Sequence, residues 1–197
     1  MLERPPLRAA LTLAEPQPHD RVLDLGTGTG ALLRELARDT PHPAEVVGVD
    51  SSQLMLARAR AAKLPPHFRV ELGDARSLEF AADRFDLVFC AYVVNVVPAA
   101  DAIAILAEAE RVLAPGGRLV VVAAVAPRSL LARPYRTLWR ALARTLPQYF
   151  GSFRLTDPEA LFAGAGLAVH RRQFVRLGYP SLCLLHRRSG RRSPSLG

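Results

Sequence analysis

The sequence predicts an α/β fold: a doubly wound, seven-stranded mixed sheet with helices on both faces and its last strand antiparallel. Three observations predict it. Apolar, β-rich runs alternate with helical stretches up to about residue 125, the pattern of a central parallel sheet. The run VLDLGTGTG, Val22 to Gly30, reads as a buried strand entering a glycine loop that opens a helix. Near the end, two strand-like runs are separated by Leu177–Pro180, a hairpin-length gap that makes the end of the sheet antiparallel.

The elements follow in order. The first strand is Arg21–Leu25, and the loop glycines are Gly26, Gly28 and Gly30. Glycine adopts positive φ without a Cβ clash and lets a ligand lie directly on the backbone. A loop that opens a helix, here from about residue 29 to 39, also aims free N–H groups at that ligand. Gly26, Gly28 and Ala31 equally fit the dinucleotide pattern, so the spacing alone leaves two cofactor classes open. Asp24 orients the glycine loop or a cofactor amino group, with structural capping as the competing role.

The second strand, Glu45–Val49, ends in Asp50, whose carboxylate can accept both hydroxyl protons of a ribose. Ser51 or Ser52 caps the next helix, 51–62, where Met55 either packs on an adenine face or fills the core. A third strand, Phe68–Leu72, ends in Gly73-Asp74-Ala75. An Asp there can accept from an exocyclic amine such as adenine N6. The fourth, Phe85–Cys90, delivers Cys90 to Asn95 to the carboxyl edge, where open α/β sheets bind ligands. Tyr92 and Asn95 are the candidates for orienting an acceptor, against the plainer role of satisfying backbone groups.

A helix over 99–113 is stopped by Pro115-Gly116-Gly117, and the apolar run 118–124 suits a central strand covered on both faces. Ser129 to Gly151 reads as an amphipathic, lid-like insertion with an apolar stripe and an arginine face. Such a helix packs on the sheet, covers an apolar acceptor or lies at an anionic membrane surface. Asp157-Pro158 caps a short helix over 157–163, and strands Leu167–Val175 and Ser181–His186 complete the sheet. His170 and His186 lie in those strands, where a lone histidine is more often structural than a base.

Composition bounds the rest. One domain, 1–186, is expected, followed by a basic disordered tail, 187–197. No run of ~18 apolar residues suggests a membrane span, and Glu3, Arg4 and Pro5 stand where a signal peptide's apolar core would begin. The expectation is a cytoplasmic protein. Cys90 and Cys183 read as buried free thiols, with no spacing for a disulfide framework or a metal cluster. The net charge of +8 is nearly all arginine and favours anionic partners. A nucleic-acid substrate is disfavoured, because no recognition module is visible and few aromatics interleave the arginines. No signal for an oligomeric state is present.

Together these strand-end signals resemble the class I S-adenosylmethionine-dependent methyltransferases, closely over about residues 20 to 125. The resemblance implies a Rossmann-like sheet, S-adenosylmethionine as cofactor and S-adenosylhomocysteine as product. It implies cofactor contacts from Asp24, Gly26, Thr27, Gly28, Gly30, Asp50, Ser51, Met55, Gly73, Asp74, Ala75 and Cys90. RVLAPGGRLVVV, Arg111 to Val122, looks like the family's later helix–turn–strand. Within the superfamily the pattern is similar to the quinone-biosynthesis C-methyltransferases and their type-11 relatives, although those tend to carry an Arg-Asn pair where this chain has Val94-Asn95. Small phospholipid N-methyltransferases are similar in size. A small or lipid-like acceptor is the expectation. A nicotinamide-dependent oxidoreductase and a catalytically silent cofactor-binding module are the rival classes.

Overall fold

A computed structural model describes residues 3–38, 42–125, 154–177 and 180–190. Seven strands form one sheet in the order β3-β2-β1-β4-β5-β7-β6. They are β1 (Arg21–Leu25), β2 (Glu45–Asp50), β3 (Phe68–Leu72), β4 (Phe85–Ala91), β5 (Leu113–Ala124), β6 (Arg171–Val175) and β7 (Ser181–Arg187). The first five pair in parallel. β7 runs antiparallel between β5 and β6, as the short gap before it requires.

The sheet is buried on both sides because its central strands are apolar at nearly every position. Val22, Phe89, Val120 and Val122 face one layer, built by α1 (Arg4–Ala14) and α2 (Ala31–Leu36). Leu23, Leu25, Val88, Leu119 and Val121 face the other, built by α4 (Ala99–Val112) and α5 (Pro158–Gly164). Successive strand residues point to opposite faces, so a continuous apolar run feeds two cores at once. α3 (Gln53–Arg60) packs on β2 and β3 at the edge of the sheet.

α1 was not expected. Its signal is present in the sequence. Leu7, Ala10, Leu11 and Ala14 recur at helical spacing and are buried, and prolines occupy the first turn, where their missing N–H costs nothing. The helix is tied to α2 through Glu35, a buried carboxylate reached by Arg4 at 3.2 Å and Arg8 at 3.0 Å, with Arg38 beside it on the α2 side.

Three other expectations change. Pro115-Gly116-Gly117 does not separate helix from strand; β5 starts at Leu113, directly after α4. Leu113 pairs with Phe85 and Arg118 with Leu87, so Ala114–Gly117 bulge out opposite Asp86. The strand expected over Leu167–Val175 begins at Arg171, because Leu167 turns in under α5 after Gly166 at φ 71°. The basic tail is ordered at its start. Arg187 ends β7, and the Arg188 backbone exchanges bonds with the bulge, accepting from Gly116 N–H at 3.1 Å and donating to Gly117 O at 3.0 Å. Its guanidinium donates to Asp83 at 2.6 Å and to the Leu113 carbonyl. The insertion at 129–151 and the rest of the tail, 191–197, lie outside the described residues. Among the described residues no helix is long and apolar enough to cross a membrane.

Candidate functional site

The site is built at the carboxyl edge of the central strands. β1 ends in the glycine loop, whose Gly26, Gly28 and Gly30 all take positive φ. At Gly26 the demand is double. Its φ is 65°, and a Cβ there would stand 2.2 Å from Val93 Cγ2. Gly48 in β2 is the complementary case, since a Cβ would meet the Thr27 side chain within 2.7 Å. A glycine inside a strand marks such a close approach. It lets Thr27 sit down on the sheet, where its N–H donates to Val49 O and its hydroxyl to Asp24 Oδ2 at 2.7 Å.

Asp50 ties the loop to the second strand. Its Oδ2 accepts from the Gly28 N–H at 2.8 Å and its Oδ1 from the Ser52 N–H at 2.8 Å. An ionised carboxylate has about four acceptor positions, so two remain for a ligand's hydroxyls. Ser52, not Ser51, caps α3 by accepting from Met55 N–H. Ser51 is exposed, and Met55 is half-buried beside them. The Asp50 carbonyl accepts from Gly73 N–H at 3.1 Å, which brings the third strand end alongside. Gly73, Asp74 and Ala75 therefore follow Asp50 along one edge, as the order of parallel strands dictates.

A cavity of about 230 Å³ lies between this loop and α1. Asp24, Gly26, Thr27, Gly28 and Tyr92 line it, together with Leu7 of the unexpected helix and Glu3 just before it. Asp24 is fully buried, and burial pushes its carboxyl up to about 7, against the opposing bond from Thr27. Tyr92 holds φ 62°, uncommon for a side chain with a Cβ. Its N–H donates to Val122 O at 2.7 Å, and its hydroxyl lies 3.1 Å from Ser181 Oγ. Backbone in this region persists when the surroundings over-determine it, which is common at binding sites.

Gly30, Asp50, Ser51, Met55, Gly73, Asp74 and Ala75 lie along the sheet edge outside the cavity lining, and two further expected site residues, Asn95 and Cys90, turn their side chains inward. Asn95 is completely buried, and both donor hydrogens of its amide are used. Nδ2 donates to Ala124 O at 3.0 Å and Arg154 O at 2.6 Å, while Oδ1 accepts from Ala124 N–H at 2.9 Å. With both donor hydrogens spent on backbone carbonyls, it stitches the 3₁₀ turn Val93–Asn95 to β5 instead of reaching an acceptor. The Cys90 thiol points into the core with Val94 and Leu106, and burial pushes it up to about 12. That leaves Cys90 its backbone for any cofactor contact.

The strand histidine His186 lies at the opposite end of the sheet, paired with Leu119. Its Nδ1 is 2.9 Å from Ala168 O, and its Nε2 faces Glu110 Oε2 at 3.1 Å, off the line of a hydrogen bond. Burial opposes its charged form, but Glu110 and the Ala168 carbonyl outweigh it and raise its pKa. It is a structural group, as a lone strand histidine usually is.

Residues 22–117 match the family described as a methyltransferase domain. A ubiquinone/menaquinone biosynthesis C-methyltransferase of Geobacter sulfurreducens is 38% identical over 138 residues, 68% of this chain and 52% of that protein. A demethylmenaquinone methyltransferase of Thermus thermophilus is 36% identical over 180 residues, 82% of this chain and 80% of that protein. The chain thus spans about half the length of the Geobacter relative and most of the Thermus one. Among solved structures it is similar to an S-adenosylmethionine-dependent methyltransferase from Mesorhizobium loti, with a TM-score of 0.66 and 23% identity over 95% of this chain and 98% of that one. At that identity the likeness is one of fold.

Proposed function

This chain belongs to the class I S-adenosylmethionine-dependent methyltransferases, and we propose that it transfers the methyl group of S-adenosylmethionine to a small, lipid-like acceptor of the quinone-precursor type. The observation that carries the reading is the bond from Gly28 N–H to Asp50, beside a cavity that opens onto the same loop. It joins a backbone able to carry a ligand to a carboxylate with acceptor positions to spare. The residues fit the cofactor. Gly26, Thr27 and Gly28 would carry its aminoalkyl end, Asp50 its ribose, and Gly73-Asp74-Ala75 its base. The quinone-type acceptor draws its support from the relatives, which are named for quinone and menaquinone methylation.

The bound cofactor supplies an activated methyl on a sulfonium that is already a good leaving group. What remains for the protein is to hold the acceptor in line and keep water away, a proximity effect worth ~7–11 kcal/mol in favourable cases. Tyr92, fixed by Ser181 and the β5 backbone, walls the cavity on the side where the chain leaves β4. Val96 is exposed just beyond it and offers apolar surface to a lipid-like ring.

Two measurements test the reading in sequence. Titration calorimetry should show S-adenosylhomocysteine binding and no NADH binding; NADH binding alone would sink the cofactor assignment. Radiolabelled methyl from S-adenosylmethionine should then appear on a short-chain demethylmenaquinol and not on phosphatidylethanolamine in mixed micelles. Label on the phospholipid would replace the quinone reading with a phospholipid N-methyltransferase.

A further inference from the structure

Asp74 lies at the end of the third strand, but it is not a free carboxylate. Arg76, two residues on, wraps it. The Arg76 backbone N–H donates to Oδ1 at 2.9 Å. Nε is shared between Oδ1 at 3.0 Å and Oδ2 at 3.1 Å, and Nη2 donates to Oδ2 at 2.7 Å. The other end of the guanidinium is held as well, with Nη1 donating to Asp101 Oδ2 at 3.2 Å in the first turn of α4. The fork is planar and its donors are fixed relative to one another, so it sets the plane of the carboxylate as well as its charge.

The acceptor count is informative. An ionised carboxylate offers about four acceptor positions. Three donors serve them: Oδ1 takes the backbone N–H and the nearer side of the shared Nε, while Oδ2 takes Nη2 and only the farther side of Nε, so the one spare position is on Oδ2. Asp74 is thus an acceptor-only group with one place left, on the edge that Asp50 already shares through Gly73.

We propose that Arg76 is a positioning residue that clamps Asp74 so that its one free acceptor position selects a ligand base with an exocyclic amine, adenine over hypoxanthine. The inference rests on the cofactor assignment above. An amine donates into the free position, whereas the carbonyl of hypoxanthine would set oxygen against oxygen. A site built to accept from an N–H rejects the analogue that lacks it more strongly than an apolar site rejects a change of shape. Bonds from Arg76 also hold the carboxyl below the usual carboxylate range; a half-exposed carboxylate is ionised at neutral pH in any case, so what the clamp adds there is orientation. Without the guanidinium, Asp74 would keep only the backbone N–H bond to Oδ1, the plane of its carboxylate would be free to turn about that bond, and its preference would be weakened.

The test is a ratio of two affinities, which a merely structural role would leave unchanged. Calorimetry on the whole chain would compare S-adenosylhomocysteine with S-inosylhomocysteine. The wild type should prefer the adenine compound by ~10-fold or more. Arg76→Gln should bring the ratio to within about threefold, chiefly by weakening S-adenosylhomocysteine. Asp101→Ala keeps Asp74 and Arg76 and releases only the far end of the fork, so its ratio should fall part-way. Melting curves establish that each variant is folded, and Asp101→Ala carries the test if Arg76→Gln is not. A wild type without preference, or variants that keep the wild-type ratio, overturn the clamp while the cofactor assignment stands. A wild type that binds neither compound overturns both.

Discussion

Asp50 and Asn95 stand at the same edge of one sheet, and the difference between them separates a group with capacity left to bind from one that only builds. Asp50 accepts two backbone N–H groups and keeps acceptor capacity in hand. Asn95 makes three bonds, is wholly buried, and has no donor left. The first arrangement fixes a loop and still presents a face to a ligand. The second closes on itself and transmits position only. From sequence the two look alike, as polar residues just past an apolar strand. Unspent hydrogen-bonding capacity tells them apart.

Substitutions can break this comparison or sharpen it. The largest effect is expected at Asn95. Asn95→Ala leaves the Ala124 and Arg154 backbone groups short of partners and should cost about 3–4 kcal/mol of stability. Chemical denaturation measures it. A stable Asn95→Ala protein with lost turnover would return Asn95 to the acceptor site.

Asp24 comes next, through pH. In the unfolded chain its carboxyl ionises near 3.8, and in the fold near 7. Between those values the folded protein holds a proton that the unfolded chain has released, so stability falls as pH rises through the window. The expected loss is on the order of 2–3 kcal/mol. Denaturation midpoints at pH 4.5 and 7.5 would show it, and Asp24→Asn should flatten the slope. A wild-type slope of the opposite sign would refute the assignment.

Asp50→Ala should weaken S-adenosylhomocysteine by at least ~10-fold, about 1.4 kcal/mol. Unchanged affinity would leave Asp50 a loop anchor like Asn95 and erase the contrast between them. The smallest effect is expected for Tyr92→Phe, which loses the hydroxyl's contact with Ser181 and about 1 kcal/mol of stability. S-adenosylhomocysteine affinity should move less than about twofold, since a single peripheral hydroxyl is involved. The acceptor's KM should rise, and steady-state kinetics would detect it.

The glycine loop and the strand ends beside it were legible because their signals are local. Gly26–Gly30 and Asp50 are readable as backbone needs and strand ends, and the sheet order places them side by side. Ser51 and Ser52 could not be separated as the cap, since one residue of register decides it. The residues after Cys90 were less legible because their meaning lies in partners far along the chain. Asn95 bonds to Arg154, and Tyr92 to Ser181, across separations that no local pattern reveals. Arg76 carries only a faint local signal, a basic residue two positions after a strand-end acid. α1 was missed for another reason. It precedes the first strand, and its apolar stripe of Leu7, Ala10, Leu11 and Ala14 was there to be counted.

By itself the sequence determined the class of fold, the order of strand and helix from the first strand onward, the glycine loop and the acids that follow strands two and three. Those properties depend on periodicity and backbone freedom within a few residues. Only the tertiary structure decided which polar groups still have capacity to bind. It turned Asn95 and Cys90 inward, roofed the cavity with α1, looped Pro115-Gly116-Gly117 out of a strand and locked Asp74 against Arg76. A hydrogen-bonding group is spent or available according to what lies within about 3 Å of it. For a buried residue those neighbours come from distant parts of the chain.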